Sequence, residues 1–237
     1  MKSLILISSL VFVSSAFSSS ICKNPLLKAS QQMIINILPD EKTIYAKTYL
    51  VENKEIINTF KAVIGRNGLS WNKKEGDGKA PAGVYSLLFG FGLADKIDSQ
   101  KFSYTPVGEN SHCIDDSSHP QYNKILFDYQ KPKNISSENL KKVGAAYEFT
   151  VAVNYNHLKS DSELKPIKNN GSCIFLHVWK KNNDGSIKPT AGCTAFEREN
   201  MKFIINWLDK KKNPILIQLT KNDYQSNAHC LPKISPK

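Results

Sequence analysis

Beyond its first twenty residues, this 237-residue sequence has no apolar run long enough to cross a bilayer, so no later helical span is expected. It has no internal repeat and no low-complexity stretch, which excludes solenoids and linker arrays. Acidic residues are scarce: 21 Asp and Glu stand against 32 Lys and Arg, for a formal charge of +11. The basic residues are scattered apart from Lys210, Lys211 and Lys212, and no basic stripe alternates with aromatics. That excludes a nucleic-acid groove and leaves attraction to an anionic cell envelope or polymer. Metal-ligand spacing is missing too. His112, Asp115, Asp116 and His119 are good ligand types, but they fit no zinc pattern and read as a polar turn, so no metal is expected.

The first twenty residues read as a secretory signal. Lys2 is a short basic region, Leu4 to Val13 an apolar one, and Ser14-Ser15-Ala16 a small-residue cleavage site, with serines 18–20 beyond. Cys22 is a poor lipidation site, because Ile21 stands where a small residue is needed. Residues 21–237 then form one exported domain of about 215 residues, enough for a sizeable core. Removing Lys2 leaves a charge of +10 (11 − 1).

The pattern of that domain is mostly β. Met33 to Leu38 reads as a buried strand after an approach segment, Lys23 to Gln32. Lys42 to Val51 and Ile56 to Gly65 flank a turn at Glu52-Asn53-Lys54, a hairpin signal. Residues 65–83 read as a long loop, a length that is usually functional. Further strands are expected at Val84 to Phe89, Tyr147 to Tyr155, Cys173 to Trp179 and Pro214 to Leu219. Residues 90–120 read as mostly irregular. Glu197 to Lys210 reads as a helix with Met201, Ile204, Ile205 and Leu208 on one face. The class is mainly β with flanking helices (α+β), with a core of about residues 33–219.

Chemistry concentrates in residues 171–198. His177 ends an apolar run, and Cys193 follows sixteen positions later between Gly192 and Thr194, in a small-residue turn read as feeding a helix N-terminus. A thiolate is the nucleophile, an imidazole makes it available, and a helix N-terminus lowers a thiol pKa. Gly192 lets the backbone approach a substrate and aim N–H groups at an oxyanion. Five cysteines in an exported chain leave one unpaired. If Cys193 is the free one, three pairings remain for the others, and Cys113–Cys173 with Cys22–Cys230 is the preferred set, the second stapling the chain ends. The bland alternative places Cys193 itself in a disulfide.

These residues resemble the L,D-transpeptidase (YkuD-type) catalytic domain of bacterial cell-wall enzymes. The family pattern is a His, a spacer of roughly fifteen residues, then Ser/Thr-His-Gly-Cys; here it reads His177, the spacer, then Thr190-Ala191-Gly192-Cys193. Upstream, Val63 to Gly68 and Gly78 to Tyr85 are similar to the family's strand and its Thr-Pro-x-Gly loop, and His112 to Asp116 with Tyr122-Asn123 to a secreted branch. The chain departs from the pattern at Ala191, Ala195 and Val178, where the family usually has His, Asn or Arg, and Ser. The resemblance implies a β-sandwich-like fold and acyl transfer on peptidoglycan stem peptides in the periplasm or cell envelope, without cofactor. It implies Cys193 as nucleophile, His177 as base, the Val178 carbonyl as its orienting group, and the N–H groups of Gly192 and Cys193 as oxyanion donors. Arg66, Trp179, Thr190 and Ala191 are the implied pocket-lining residues. It leaves open cross-linking or hydrolysis of the same bonds; a reading from a different class is a non-catalytic envelope-binding module in which Cys193 is disulfide-bonded.

Overall fold

Alternation of apolar residues builds one large sheet. The computed structural model describes residues 21–158 and 164–234. The signal reading, residues 1–20, lies outside them. Nine strands form the sheet: β1 (Gln32–Leu38), β2 (Tyr45–Glu52), β3 (Glu55–Val63), β4 (Gly83–Gly92), β5 (Tyr104–Pro106), β6 (Thr150–Val153), β7 (Phe175–Val178), β8 (Thr194–Phe196) and β9 (Ile215–Thr220). Their order is β6-β7-β8-β3-β2-β1-β9-β4-β5, and β6 also pairs with β4. That extra pairing closes the sheet on itself, so one sheet supplies both walls of the core and few edges are left open. Most pairs are antiparallel; β1 with β9, β7 with β8, and β4 with β5 are parallel.

The register explains the burial. In β1, Ile34 and Leu38 face the interior core, whereas Met33 and Ile35 face a second cluster outside the barrel wall. A strand buried on both faces cannot show the apolar–polar alternation of a half-exposed one. The interior cluster takes in helix α2 (Arg198–Trp207) through Met201, Ile204 and Ile205. The outer cluster is covered by helix α1 (Pro25–Ala29) and helix α3 (Lys221–Ser226), where Leu26, Leu27 and Tyr224 pack on it. Asn24 caps α1, with Pro25 in the first turn, and Thr220 with Asp223 forms a capping box on α3. The Cys22–Cys230 disulfide, over a separation of 208 residues, ties these two terminal segments together.

Four segments differ from the pattern reading. The approach segment contains α1. The 65–83 loop holds a short parallel pair, Leu69–Ser70 with Ala80–Pro81. Residues 90–120 contain β5 and a two-residue strand, His112–Cys113, that pairs with Ile125–Leu126 and Glu138–Asn139. The strand expected from Tyr147 begins only at Thr150; Gly144–Tyr147 is a 3-10 turn, because it buries the Tyr147 ring edge-on against Phe91 and Phe175.

A chain of polar side chains runs through the barrel interior. Thr48 donates to Asn36 at 2.6 Å, Asn36 donates to Gln218 at 3.0 Å, and Thr194 donates to the same Gln218 oxygen at 2.6 Å. Gln218 donates onward to the Pro81 carbonyl at 2.9 Å. Every group in this chain is buried and partnered, so the chain fixes which strands meet instead of weakening the core. It ends at Thr194, the residue after Cys193.

Candidate active site

Cys193 and His177 reach one cavity because their strands are parallel neighbours. β7 pairs with β8 in the register Leu176 with Thr194 and His177 with Ala195. Cys193 therefore enters β8 opposite Phe175, and the Phe175 N–H donates to its Sγ at 3.3 Å. The thiol in turn donates to the Cys173 carbonyl at 3.4 Å. Cys173 holds that carbonyl in place from a left-handed backbone (φ 54°), pinned by its disulfide to Cys113 and by its N–H to Asn123 at 2.9 Å. The two disulfides of the structure are Cys113–Cys173 and Cys22–Cys230, and Cys193 is a free thiol. The reading that placed Cys193 in a disulfide is therefore overturned.

The imidazole is oriented by its own neighbour. His177 Nδ1 lies 2.8 Å from the Val178 carbonyl oxygen. A carbonyl only accepts, so Nδ1 carries the proton and Nε2 is the basic nitrogen. The ring packs edge-on against Tyr147, with centroids 5.4 Å apart. Among the described residues no hydrogen bond joins His177 to the Cys193 sulfur.

Both groups are buried. His177 is 8 % exposed and Cys193 9 %. Burial holds His177 down at about 4, and the Lys180 charge adds to that. Burial pushes the Cys193 thiol up to about 12, reinforced by Glu138 and opposed by the Phe175 N–H and Lys73. The resting pair is thus neutral thiol and neutral imidazole. This corrects the expectation of a thiol acidified by a helix N-terminus. Cys193 does not feed a helix: β8 intervenes, and α2 begins only at Arg198. A helix terminus acts within about one turn, which leaves Cys193 out of reach.

The turn before Cys193 is tied from three sides. Thr190 bridges to Gly65, its N–H donates to the Ile64 carbonyl at 3.0 Å, and its carbonyl accepts from Arg66 N–H at 2.8 Å. The Thr190 hydroxyl donates to the Cys193 carbonyl at 2.7 Å and accepts from Gly192 N–H at 3.1 Å. The Gly192 N–H is therefore engaged and is no free oxyanion donor, a second correction. Glycine is still required there: at φ 153° an added Cβ would sit 2.9 Å from the Lys79 carbonyl oxygen. Behind the turn lies Lys73, buried and paired to Asp77 at 2.7 Å.

The cavity holds about 210 Å³. His177, Cys193, Thr190 and Ala191 line it, together with Tyr147, Glu138, Lys180 and Lys188. Arg66 and Trp179 do not border it. Arg66 meets the site through its backbone and is exposed, and Trp179 N–H pairs with the Phe196 carbonyl at 2.8 Å. Glu138 and Tyr147 were not foreseen as site residues. The Tyr147 hydroxyl donates to Glu138 at 2.6 Å, and burial raises the pKa of both. The polar turn lies elsewhere: His112 bonds Ser137 at 3.0 Å, Asp116 caps Ser118, and His119 accepts from Gln121 N–H. Among the described residues, the metal-ligand types that converge are Cys22, His229 and Cys230, and the two sulfurs there are joined to each other.

The family profile of the L,D-transpeptidase catalytic domain (YkuD) matches residues 35–217. No curated protein sequence gives a significant match. Among solved structures, the helical cell shape determining protein Pgp2 from Campylobacter jejuni is 16% identical, over 89% of this chain and 59% of that one, with a TM-score of 0.40. L,D-transpeptidase 1 of Mycobacterium tuberculosis is 11% identical, over 79% of this chain and 62% of that one, with a TM-score of 0.33. The chain thus spans about three fifths of the length of these structures.

Proposed function

The chain belongs to the L,D-transpeptidase catalytic domain family, and on that footing we propose that it is an exported cysteine acyltransferase acting on peptidoglycan stem peptides. One observation carries the reading: the single free thiol shares one cavity with an imidazole whose basic nitrogen has no hydrogen-bond partner among the described residues. Two disulfides suit an oxidising compartment outside the cytoplasm, and the +11 charge suits an anionic envelope. Among the described residues no helix is long and apolar enough to cross a membrane.

In this reading the neutral thiol is activated only as it reacts. His177 Nε2 takes the Cys193 proton while sulfur bonds to the carbonyl carbon before a D-residue. The Cys193 N–H faces the developing oxyanion, and Gly192 supplies the space for it to approach. The C–N bond breaks, imidazolium returns its proton to the departing amine, and a thioester remains. An amine acceptor then yields a cross-link, or water yields a trimmed peptide, and the thiol is restored. Val178 contributes its carbonyl as an orienting acceptor that also stabilises the transient imidazolium. No step calls for a cofactor.

The test is product analysis. Protein and a Cys193→Ala variant are incubated with purified muropeptides and the products weighed. The expected result is new cross-linked dimers, or loss of a terminal D-residue, from the unaltered protein only. Equal products from both would remove Cys193 from the chemistry.

A further inference from the structure

A short hairpin borders the cavity and holds two lysines face to face. Lys180–Lys181 pairs antiparallel with Ile187–Lys188, and Lys180 stands directly opposite Lys188. Like charges in that position are destabilising. Among the described residues no carboxylate forms an ion pair with either lysine, and the hairpin's own Asp184 bonds the N–H and hydroxyl of Ser186. Across the cavity the Lys180 charge acts on the Glu138 carboxyl and favours its ionised form. Both border the cavity that holds Cys193 and His177. The return strand places Lys188 only five residues before Cys193, so the lysines and the thiol ride on one continuous segment. The other charged side chain lining the cavity, Glu138, is half-buried and already accepts from Tyr147, so it leaves the lysine side as the place for an anion.

We propose that Lys180 and Lys188 form a carboxylate-binding lip that selects peptides bearing a free carboxylate next to the bond attacked by Cys193. The inference rests on the acyl-transfer reading for its substrate class. Two ammonium groups set opposite each other without an ion-paired carboxylate are a site whose repulsion is eased when an anion enters between them, which a single surface lysine is not. Two sources offer that chemistry: the terminal carboxylate of the leaving D-residue, or the side-chain carboxylate of the residue being acylated.

The experiment separates them and does not depend on turnover. Full-length protein carrying Cys193→Ala is titrated with three synthetic stem tetrapeptides: the free acid, one amidated at its C-terminus, and one amidated at the side-chain carboxylate. The same titrations are run after adding Lys180→Gln and Lys188→Gln. The free acid is expected to bind the parent roughly tenfold or more better than one of the two amides, and that amide names the source. The lysine changes should erase this preference, lower the salt dependence of binding, and leave the melting temperature unchanged or higher. A merely structural role would lower it. Equal binding of all three peptides by the parent, or a preference that survives loss of both lysines, overturns the lip. Acylation of the unaltered protein is measured alongside. Carboxylate-dependent binding without an acyl adduct would sink the transferase reading and keep the lip; an adduct indifferent to amidation would do the reverse.

Discussion

Two neighbouring stretches of this chain treat charge in opposite ways. Phe175–Val178 and Thr194–Phe196 are buried at every position and locked between other strands, and burial keeps His177 in the first and Cys193, just before the second, neutral. Residues 180–188 are exposed except at Ile187, form their own two-stranded pair, and set two like charges opposite each other. A two-stranded hairpin adds little stability of its own, so it can hold charge that a barrel wall cannot. The contrast teaches a division of labour under the proposed function: the wall holds the thiol and the imidazole in fixed surroundings, and the hairpin is left to meet the substrate.

That division can be broken most forcefully at the wall. Cys193→Ala is expected to abolish acyl transfer, and His177→Gln to reduce it by roughly a thousandfold or more, with folding retained. Steady-state assays on muropeptides check both. Next comes the disulfide beside the thiol. Cys113→Ser with Cys173→Ser opens a crosslink over 60 residues and should cost about 4 kcal/mol in denaturant titrations. It should also slow acyl transfer, because Cys173 presents the carbonyl that accepts the hydrogen bond of the resting Cys193 thiol and so orients it. The Cys22–Cys230 pair at the chain ends should lower stability alone when removed. Equal effects of the two on rate would erase the contrast.

Protonation sharpens it further. An unfolded His titrates near 6.5, and His177 in the fold at about 4. Between those values the unfolded chain binds the extra proton, so stability falls as pH drops from 6.5 toward 4, by up to about 3 kcal/mol. His177→Gln should remove that part of the pH dependence. With the Cys193 pKa at about 12, its alkylation rate should climb tenfold per pH unit from 6 to 9 without an acidic plateau. The smallest contrast is between two glycines. Gly192→Ala drives a Cβ to 2.9 Å from a carbonyl oxygen and should cost about 1–3 kcal/mol and much of the rate. Gly185→Ala, at the hairpin tip with φ 81° and nothing within 4 Å, should cost only about 1 kcal/mol and leave the rate alone.

The wall was more legible than its surroundings. β1, β4 and β9 are continuous apolar runs, and α2 shows its buried face at helical spacing, so each declares itself locally. His177 and Cys193 stood out because a strand-end imidazole and a glycine-flanked cysteine are rare together. The odd cysteine count then gave the pairing arithmetic. What failed was non-local. Thr194-Ala195-Phe196 looks like the entry to a helix, and only the parallel partner β7 and the antiparallel partner β3 make it a strand. The thiol pKa was misjudged for the same reason, since burial by distant segments outweighs local turn geometry. Glu138 and Tyr147 carry no motif; the contact between a two-residue strand and a 3-10 turn brings them to the cavity. Lys180 and Lys188 lay inside the spacer, where nothing but their cross-strand register shows that they meet.

The most direct test is a quenched single-turnover reaction. Protein is mixed with muropeptide donor, stopped with acid within seconds, weighed intact and then mapped by peptide fragmentation. A transient adduct with the mass of the donor less its terminal D-residue, located on Cys193 and absent from Cys193→Ala, is the predicted result. Turnover of donor with no adduct on Cys193, or an adduct mapped to another residue, would contradict it.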